Sequence, residues 1–127
     1  MTAKVLVVED NPANMKLTIL LLDYAGYQVL QAGNAAAGIA VAREHMPDMI
    51  LMDIQLPGMD GLEATRLLKA DAATRNIKVV ALTAFAMKGD EERILAVGCD
   101  GYIAKPIEYK DFLAQVAQLL TVEGPAS

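Results

Sequence analysis

Tryptophan is absent from this chain, and cysteine and histidine each occur once. The lone Cys99 excludes an internal disulfide and suits a reducing, cytoplasmic setting. His45 has no second His or Cys to share a metal with, and reads as a surface residue near a helix end before Pro47. Basic residues are also scarce: 11 Lys and Arg stand against 16 Asp and Glu, for a net charge of -5. That balance works against nucleic acid, which needs clustered cations, and against an anionic membrane surface. No apolar run approaches membrane-spanning length. Only Val5 to Val8 separate Lys4 from Glu9, too few residues for the apolar region of a signal peptide. Repeats, low-complexity tracts and linkers are missing too. The chain therefore reads as one domain over residues 1–121 with a short disordered stub, Val122 to Ser127.

What is present is enough apolar material for a core, 54% of 127 residues, in a regular alternation. Val5-Leu6-Val7-Val8, Met49-Ile50-Leu51-Met52 and Val79-Val80-Ala81-Leu82 are short runs suited to strands buried on both faces. Tyr102-Ile103-Ala104 is a shorter one, and the more polar Tyr27–Gln31 suits an edge. Helices with recognisable ends lie between. Asn11, with Pro12 in the first turn, opens one that Gly26 closes. Asn34 caps the next, and Asp60 with Glu63 resembles a capping box. Asp90-Glu91-Glu92 opens a fourth that fits an end at Gly98. A fifth runs from about Glu108 to Leu120 with Phe112, Val116 and Leu119 on one stripe. Five βα units predict an α/β fold, a doubly wound, five-stranded parallel sheet with right-handed crossovers; with Tyr27–Gln31 on an edge, the order 2-1-3-4-5 known from flavodoxin-like folds is the natural one.

The polar residues that follow each run carry the chemistry. Strand one ends in Glu9-Asp10, strand three in Asp53, strand four in Thr83 and strand five in Lys105-Pro106. In an open parallel sheet these ends share the ligand-binding edge. Two like charges ~4 Å apart repel by about 4 kcal/mol at an effective dielectric of about 20, so three carboxylates need cations beside them. Lys105 offsets one charge, and a divalent ion would offset the rest. Hard oxygen ligands without Cys or His point to Mg²⁺ rather than zinc. Such a site suits a phosphoryl group: metal and Lys105 neutralise it, Thr83 donates a hydrogen bond, and a carboxylate attacks phosphorus. Asp53, on a central strand between those bearing Asp10 and Thr83, is the carboxylate best placed to attack.

At these residues the sequence resembles the response-regulator receiver (CheY-like) family. The segments Val7–Asn11, Leu51–Gly61, Ala81–Ala84 and Gly101–Pro106 all fit, in order and at suitable spacing. The resemblance implies Asp53 as phosphoacceptor and Glu9 and Asp10 as Mg²⁺ ligands, with the Gln55 backbone carbonyl as a further one. It implies Lys105 as the phosphoryl contact, a cis bond before Pro106, and Thr83 and Tyr102 as a switch pair. On phosphorylation, Thr83 and Tyr102 would move and remodel the surface of helix four, strand five and helix five. The implied partners are a histidine kinase or histidine phosphotransfer protein and a downstream signalling protein. The implied activity is a phospho-switch that supports its own phosphorylation and slow dephosphorylation, rather than a metabolic enzyme. No output domain is expected after helix five. The stretch Leu82–Arg93 is similar to single-domain regulators of the DivK type, which points to cell-cycle or polar-development control. Receivers of hybrid kinases share such stretches, and a phosphorelay shuttle is the alternative role.

Two other classes fit less well. An aspartyl-phosphate hydrolase usually has a second Asp two residues after its nucleophile, where this chain has Gln55. Nucleotide or flavin binding on this fold wants a glycine-rich first loop, where this chain has Glu9-Asp10-Asn11-Pro12. In the first helix, Leu17, Leu21 and Ala25 form one stripe by periodicity, which reads as its core face. Met15, Ile19 and Leu20 fall well away from it, and one face cannot bury them all; Met15 and Ile19, close to Asp10, are expected to dock a kinase or phosphotransfer helix. Phe85, two residues after Thr83, is expected to slow dephosphorylation by standing in the path of water.

Overall fold

The computed structural model describes residues 3–54, 60–83, 88–105 and 107–121. Strands and helices alternate: β1 Lys4–Val8, α1 Pro12–Tyr24, β2 Gln28–Ala32, α2 Ala35–His45, β3 Met49–Asp53, α3 Gly61–Ala70, β4 Lys78–Thr83, α4 Lys88–Ala96, β5 Gly101–Ala104 and α5 Tyr109–Thr121. All five strands are parallel, as the alternation predicts, in the order β2-β1-β3-β4-β5 expected with β2 at an edge. Gln55, Phe85, Pro106 and the stub from Val122 lie outside the described residues.

Strand periodicity sorts the apolar residues onto two faces. Leu6, Val8, Ile50, Met52, Val79 and Ala81 face α2, α3 and α4 in one core cluster. Val5, Val7, Met49, Leu51, Val80, Leu82 and Ile103 face α1 and α5 in the other, with Leu22, Phe112 and Val116. β1, β3 and β4 are covered on both sides, so their sequences are continuous apolar runs. Edge strand β2 has the mixed burial its polar residues announce.

The helix starts follow the caps. Asn11 Oδ1 accepts from the N–H groups of Ala13 (2.9 Å) and Asn14 (3.1 Å), Asn34 Oδ1 from Ala37 (2.8 Å) and Asp60 Oδ1 from Glu63 (2.8 Å). Glu63 spends its carboxylate on Arg66, one turn along α3. At α5 it is Glu108 that caps, accepting from the Asp111 N–H at 2.9 Å. The α2 end departs from the glycine rule: Met46 itself takes the left-handed conformation, φ 47°, before Pro47.

The core face of α1 is not the one periodicity suggested. Thr18 and Leu22 are its buried residues, Met15 and Leu21 are half-buried against the core, and Leu17 is 44% exposed. Thr18 can face inward because its hydroxyl donates to the Asn14 carbonyl at 2.8 Å. A helix apolar on nearly every side carries little periodic signal, and counting apolar letters passed over this threonine. Among the described residues no helix is long and apolar enough to cross a membrane.

Candidate functional site

β1 and β3 lie side by side with Val8 opposite Met52, so Glu9, Asp10 and Asp53 emerge together at the C-terminal edge of the sheet. β4 brings Thr83 one residue beyond the level of Asp53, and β5 brings Lys105 in after Ala104, which faces Thr83. The N–H of Lys105 donates to the Thr83 carbonyl at 2.8 Å, which anchors the lysine to the central sheet. All five residues picked from the strand ends are thus brought to one place.

Burial separates them by role. Glu9 and Asp53 are almost fully buried and Thr83 is completely so, while Asp10 is exposed. Carboxylate oxygens of Glu9, Asp10 and Asp53 lie within 4.8 Å of one another. The Lys105 ammonium stands 3.3 Å from Glu9 Oε1 and 3.3 Å from Asp53 Oδ2. The other Glu9 oxygen accepts from the Asp10 N–H at 3.1 Å. Burial, followed by a hydrogen bond with Asp53 and the Asp53 charge, pushes the Glu9 carboxyl up from 4.5 to about 7, against the opposing pull of Lys105. One ammonium is too little positive charge for this cluster, and a proton shared near Glu9 makes up part of the deficit.

A divalent cation would make up that deficit more fully. The donors are carboxylate oxygens without nitrogen or sulfur, two buried and one open to solvent, and they fit a hard ion that retains part of its water. The geometry therefore combines a buried carboxylate, an ammonium beside it and a place for a metal.

Glycine matters at the floor of this site. A Cβ on Gly61 would come within 2.4 Å of the Asp53 carbonyl oxygen and 2.7 Å of Ile54 Cα, so α3 can start directly against the end of β3 only with glycine there.

Tyr102 on β5 is half-buried and packs against the cluster beneath α2–α4. The Glu91 carboxylate on α4, through hydrogen bonding and charge, together with burial, raises the pKa of its hydroxyl. Glu91 is a functional candidate that sequence reading did not single out, because nothing local marks an α4 glutamate as the partner of a β5 tyrosine. Met15 and Ile19 are both half-buried on α1, and Met15 is packed into the core.

Comparison with known proteins agrees with the geometry. Residues 5–117 match the response regulator receiver domain. The chain is 50% identical over 120 residues to the polar-differentiation response regulator DivK of Brucella ovis, covering 94% of this chain and 98% of that protein. DivK of Brucella anthropi matches equally, at 50% over 120 residues. Among solved structures, the receiver domain of sensor histidine kinase PA1611 from Pseudomonas aeruginosa, with a magnesium ion coordinated in its active-site cleft, superposes with a TM-score of 0.88. Identity there is 33%, over 96% of this chain and 100% of that one. Chemotaxis response regulator CheY4 of Vibrio cholerae gives a TM-score of 0.89 at 25% identity, over 94% and 99% of the two chains. A carboxylate cluster closed by one lysine at the edge of a 2-1-3-4-5 sheet, in a chain that matches along nearly its whole length, places this protein in the response regulator receiver family, as a response regulator of two-component signalling.

Proposed function

We propose that Asp53 is the phosphoacceptor of a Mg²⁺-dependent switch, filled by a histidine kinase or histidine phosphotransfer protein. The observation that carries this reading is the Lys105 ammonium held 3.3 Å from Asp53 in a site with room for a cation between three carboxylates. An Asp53 oxygen attacks phosphorus, the P–N bond to the donor histidine breaks, and the imidazole leaves with its electron pair and takes up a proton. Lys105 neutralises the incoming phosphoryl oxygens, and Thr83 donates its hydroxyl to one of them. Mg²⁺ would be held by the carboxylates of Glu9, Asp10 and Asp53, with the Gln55 carbonyl as the further ligand that the family resemblance implies, and would supply further charge neutralisation. The reaction modifies the protein itself, and its reversal by water is slow.

The phosphorylated form acts by binding proteins. Tyr102 lies where the state of the site can reach the surface of α4, β5 and α5. A groove of about 250 Å³ is lined there by Leu95, Gly101, Tyr102, Gln115, Gln118 and Leu119. The N-terminal half of α1 next to Asp10, with Met15 and Ile19, is the side from which the donor helix approaches. Ile19 is the cleaner probe of that contact, because Met15 also serves the core. By analogy with the DivK relatives, the pathway is polar differentiation or the cell cycle, in the cytoplasm.

The test is intact-protein mass after incubation with acetyl phosphate and Mg²⁺. A gain of one phosphoryl group, lost in Asp53→Asn and without metal, is expected. No gain from acetyl phosphate or from a phosphorylated histidine phosphotransfer protein would reject the reading.

A further inference from the structure

Among the described residues, the exposed large apolar side chains outside α1 are scattered, with Met46, Leu67, Leu95 and Tyr109 each on a different part of the fold. On α1 three occur together: Leu17 is 44% exposed, Leu20 58% and Tyr24 84%. At about 100° per residue they fall within about 60° of one another, and Leu17 and Tyr24 lie about two turns apart. They form a stripe, with exposed Ala13 continuing it toward the N-terminus. The stripe points away from the core side, which holds Thr18 and Leu22. Ile19, the proposed donor contact, lies about 160° around the helix from Leu17. The stripe is therefore distinct from the surface invoked for phosphotransfer.

Charge beside the stripe identifies what covers it. Lys16 and Asp23 are both exposed on the same flank, seven residues apart, and neither has an ion-pair partner among the described residues. When two copies of one helix pack antiparallel about a two-fold axis, like flanks meet, and positions equally far on either side of the axis face each other. With the axis at Leu20, the two Leu20 side chains meet, and Leu17 comes within one residue, about 1.5 Å along the helix, of facing Tyr24 of the other copy. Lys16 comes equally near to facing Asp23 of the other copy, twice over, a mismatch that a flexible lysine side chain spans. Apolar stripe and charges are satisfied together by one register.

We infer that α1 is a self-complementary surface that pairs two copies of this chain through Leu17, Leu20 and Tyr24, with reciprocal Lys16–Asp23 ion pairs. One helix on one helix buries less than the roughly 1,200–2,000 Å² of a stable interface, so the pair forms and dissociates with concentration. The antiparallel arrangement sends the two Asp53 sites to opposite ends and leaves the Ile19 flank open. Phosphorylation can therefore proceed on the paired form.

Sedimentation equilibrium of the whole chain over a concentration series at low salt tests this. The wild-type mass is expected to climb from one chain toward two. Leu20→Asp, which places two carboxylates on the axis, is expected to stay at one chain. Lys16→Asp and Asp23→Lys alone each weaken pairing by roughly tenfold, and the double exchange restores it. All three substituted positions are exposed, and unchanged urea unfolding shows that the variants fold. A single-chain mass at every concentration overturns the inference, as does a dimer indifferent to Leu20→Asp or not restored by the double exchange. Slower phosphate uptake from a phosphorylated histidine protein by Leu20→Asp, with wild type sedimenting as one chain, assigns the stripe to another protein and also overturns it.

Discussion

Nζ of Lys105 lies 3.3 Å from Oδ2 of Asp53, and the same ammonium lies 3.3 Å from Oε1 of Glu9. In this position the lysine does two opposed things. On the proposed function it would favour an incoming phosphoryl group, and it would compete with any metal for the same carboxylates. Lys105→Ala should therefore split two properties. Phosphorylation by acetyl phosphate is expected to slow by about a hundredfold, the usual scale for losing one donor to developing charge. Mg²⁺ should bind more tightly, because a competing cation has gone. Phosphorylation rates by intact mass and Mg²⁺ titrations by calorimetry measure the two. A variant weakened in both would show that Lys105 only holds the site in shape.

The Glu9 carboxyl gives the metal-free protein a pH dependence of definite sign. In the folded state it holds its proton up to about pH 7, while unfolded it releases it near 4.5. Between those values the folded form binds more protons, so stability must fall as pH rises through that window and level off above it. The thermal midpoint of metal-free protein should drop by several degrees from about pH 4.5 to about 7. In Glu9→Gln the difference between the two pH values should shrink, because that proton is no longer exchanged. Scanning calorimetry on both proteins isolates this group from the other carboxylates. With saturating Mg²⁺ the wild-type loss should largely vanish, since the ion replaces the proton.

Much of this molecule was readable in its sequence where one physical signal dominates. β1, β3 and β4 are covered on both faces, so they are written as unbroken apolar runs, and the first polar letter after each marks the site edge. Asn11, Asn34 and Asp60 announce helix starts because few other side chains satisfy free N–H groups. Reading failed where signals overlap or where the partner is distant in sequence. α1 is apolar on most sides, so periodicity chose Leu17 for the core and left out the self-satisfied Thr18. Lys69 donates to the Arg75 and Ile77 carbonyls and to Asp100, at 3.1, 2.8 and 2.9 Å, tying α3 to the start of β5. That link leaves no mark in the letters around Lys69.

The rotation of α1 makes a direct prediction about two leucines. Leu22 is fully buried beneath the sheet, while Leu17 is 44% exposed. Leu22→Ala should cost about 2–5 kcal/mol through lost burial and the cavity left behind. Leu17→Ala should change the stability of the single chain by no more than about 0.5 kcal/mol. Urea unfolding at low protein concentration compares them. Equal costs would mean that α1 sits in the orientation its apolar periodicity suggests.

Tyr102 and Glu91 offer a test of how the site is connected to the α4–β5–α5 surface. The hydroxyl of Tyr102 feels the Glu91 carboxylate on α4. Hydrogen bonding, burial and the negative charge of Glu91 all disfavour tyrosinate, so the hydroxyl titrates above the ordinary tyrosine range. Glu91→Ala removes the first and last of these causes. The Tyr102 ring signals in an NMR titration should then move at lower pH than in wild type. If Tyr102 is the switch residue proposed above and Glu91 restrains it, removing Glu91 lets the phosphorylated-state orientation gain population before any phosphate is added. Ring shifts of unphosphorylated Glu91→Ala should therefore move part of the way toward those of the phosphorylated wild type. Shifts that move with pH but not toward the phosphorylated form would make Glu91 a neighbour of the switch rather than its restraint.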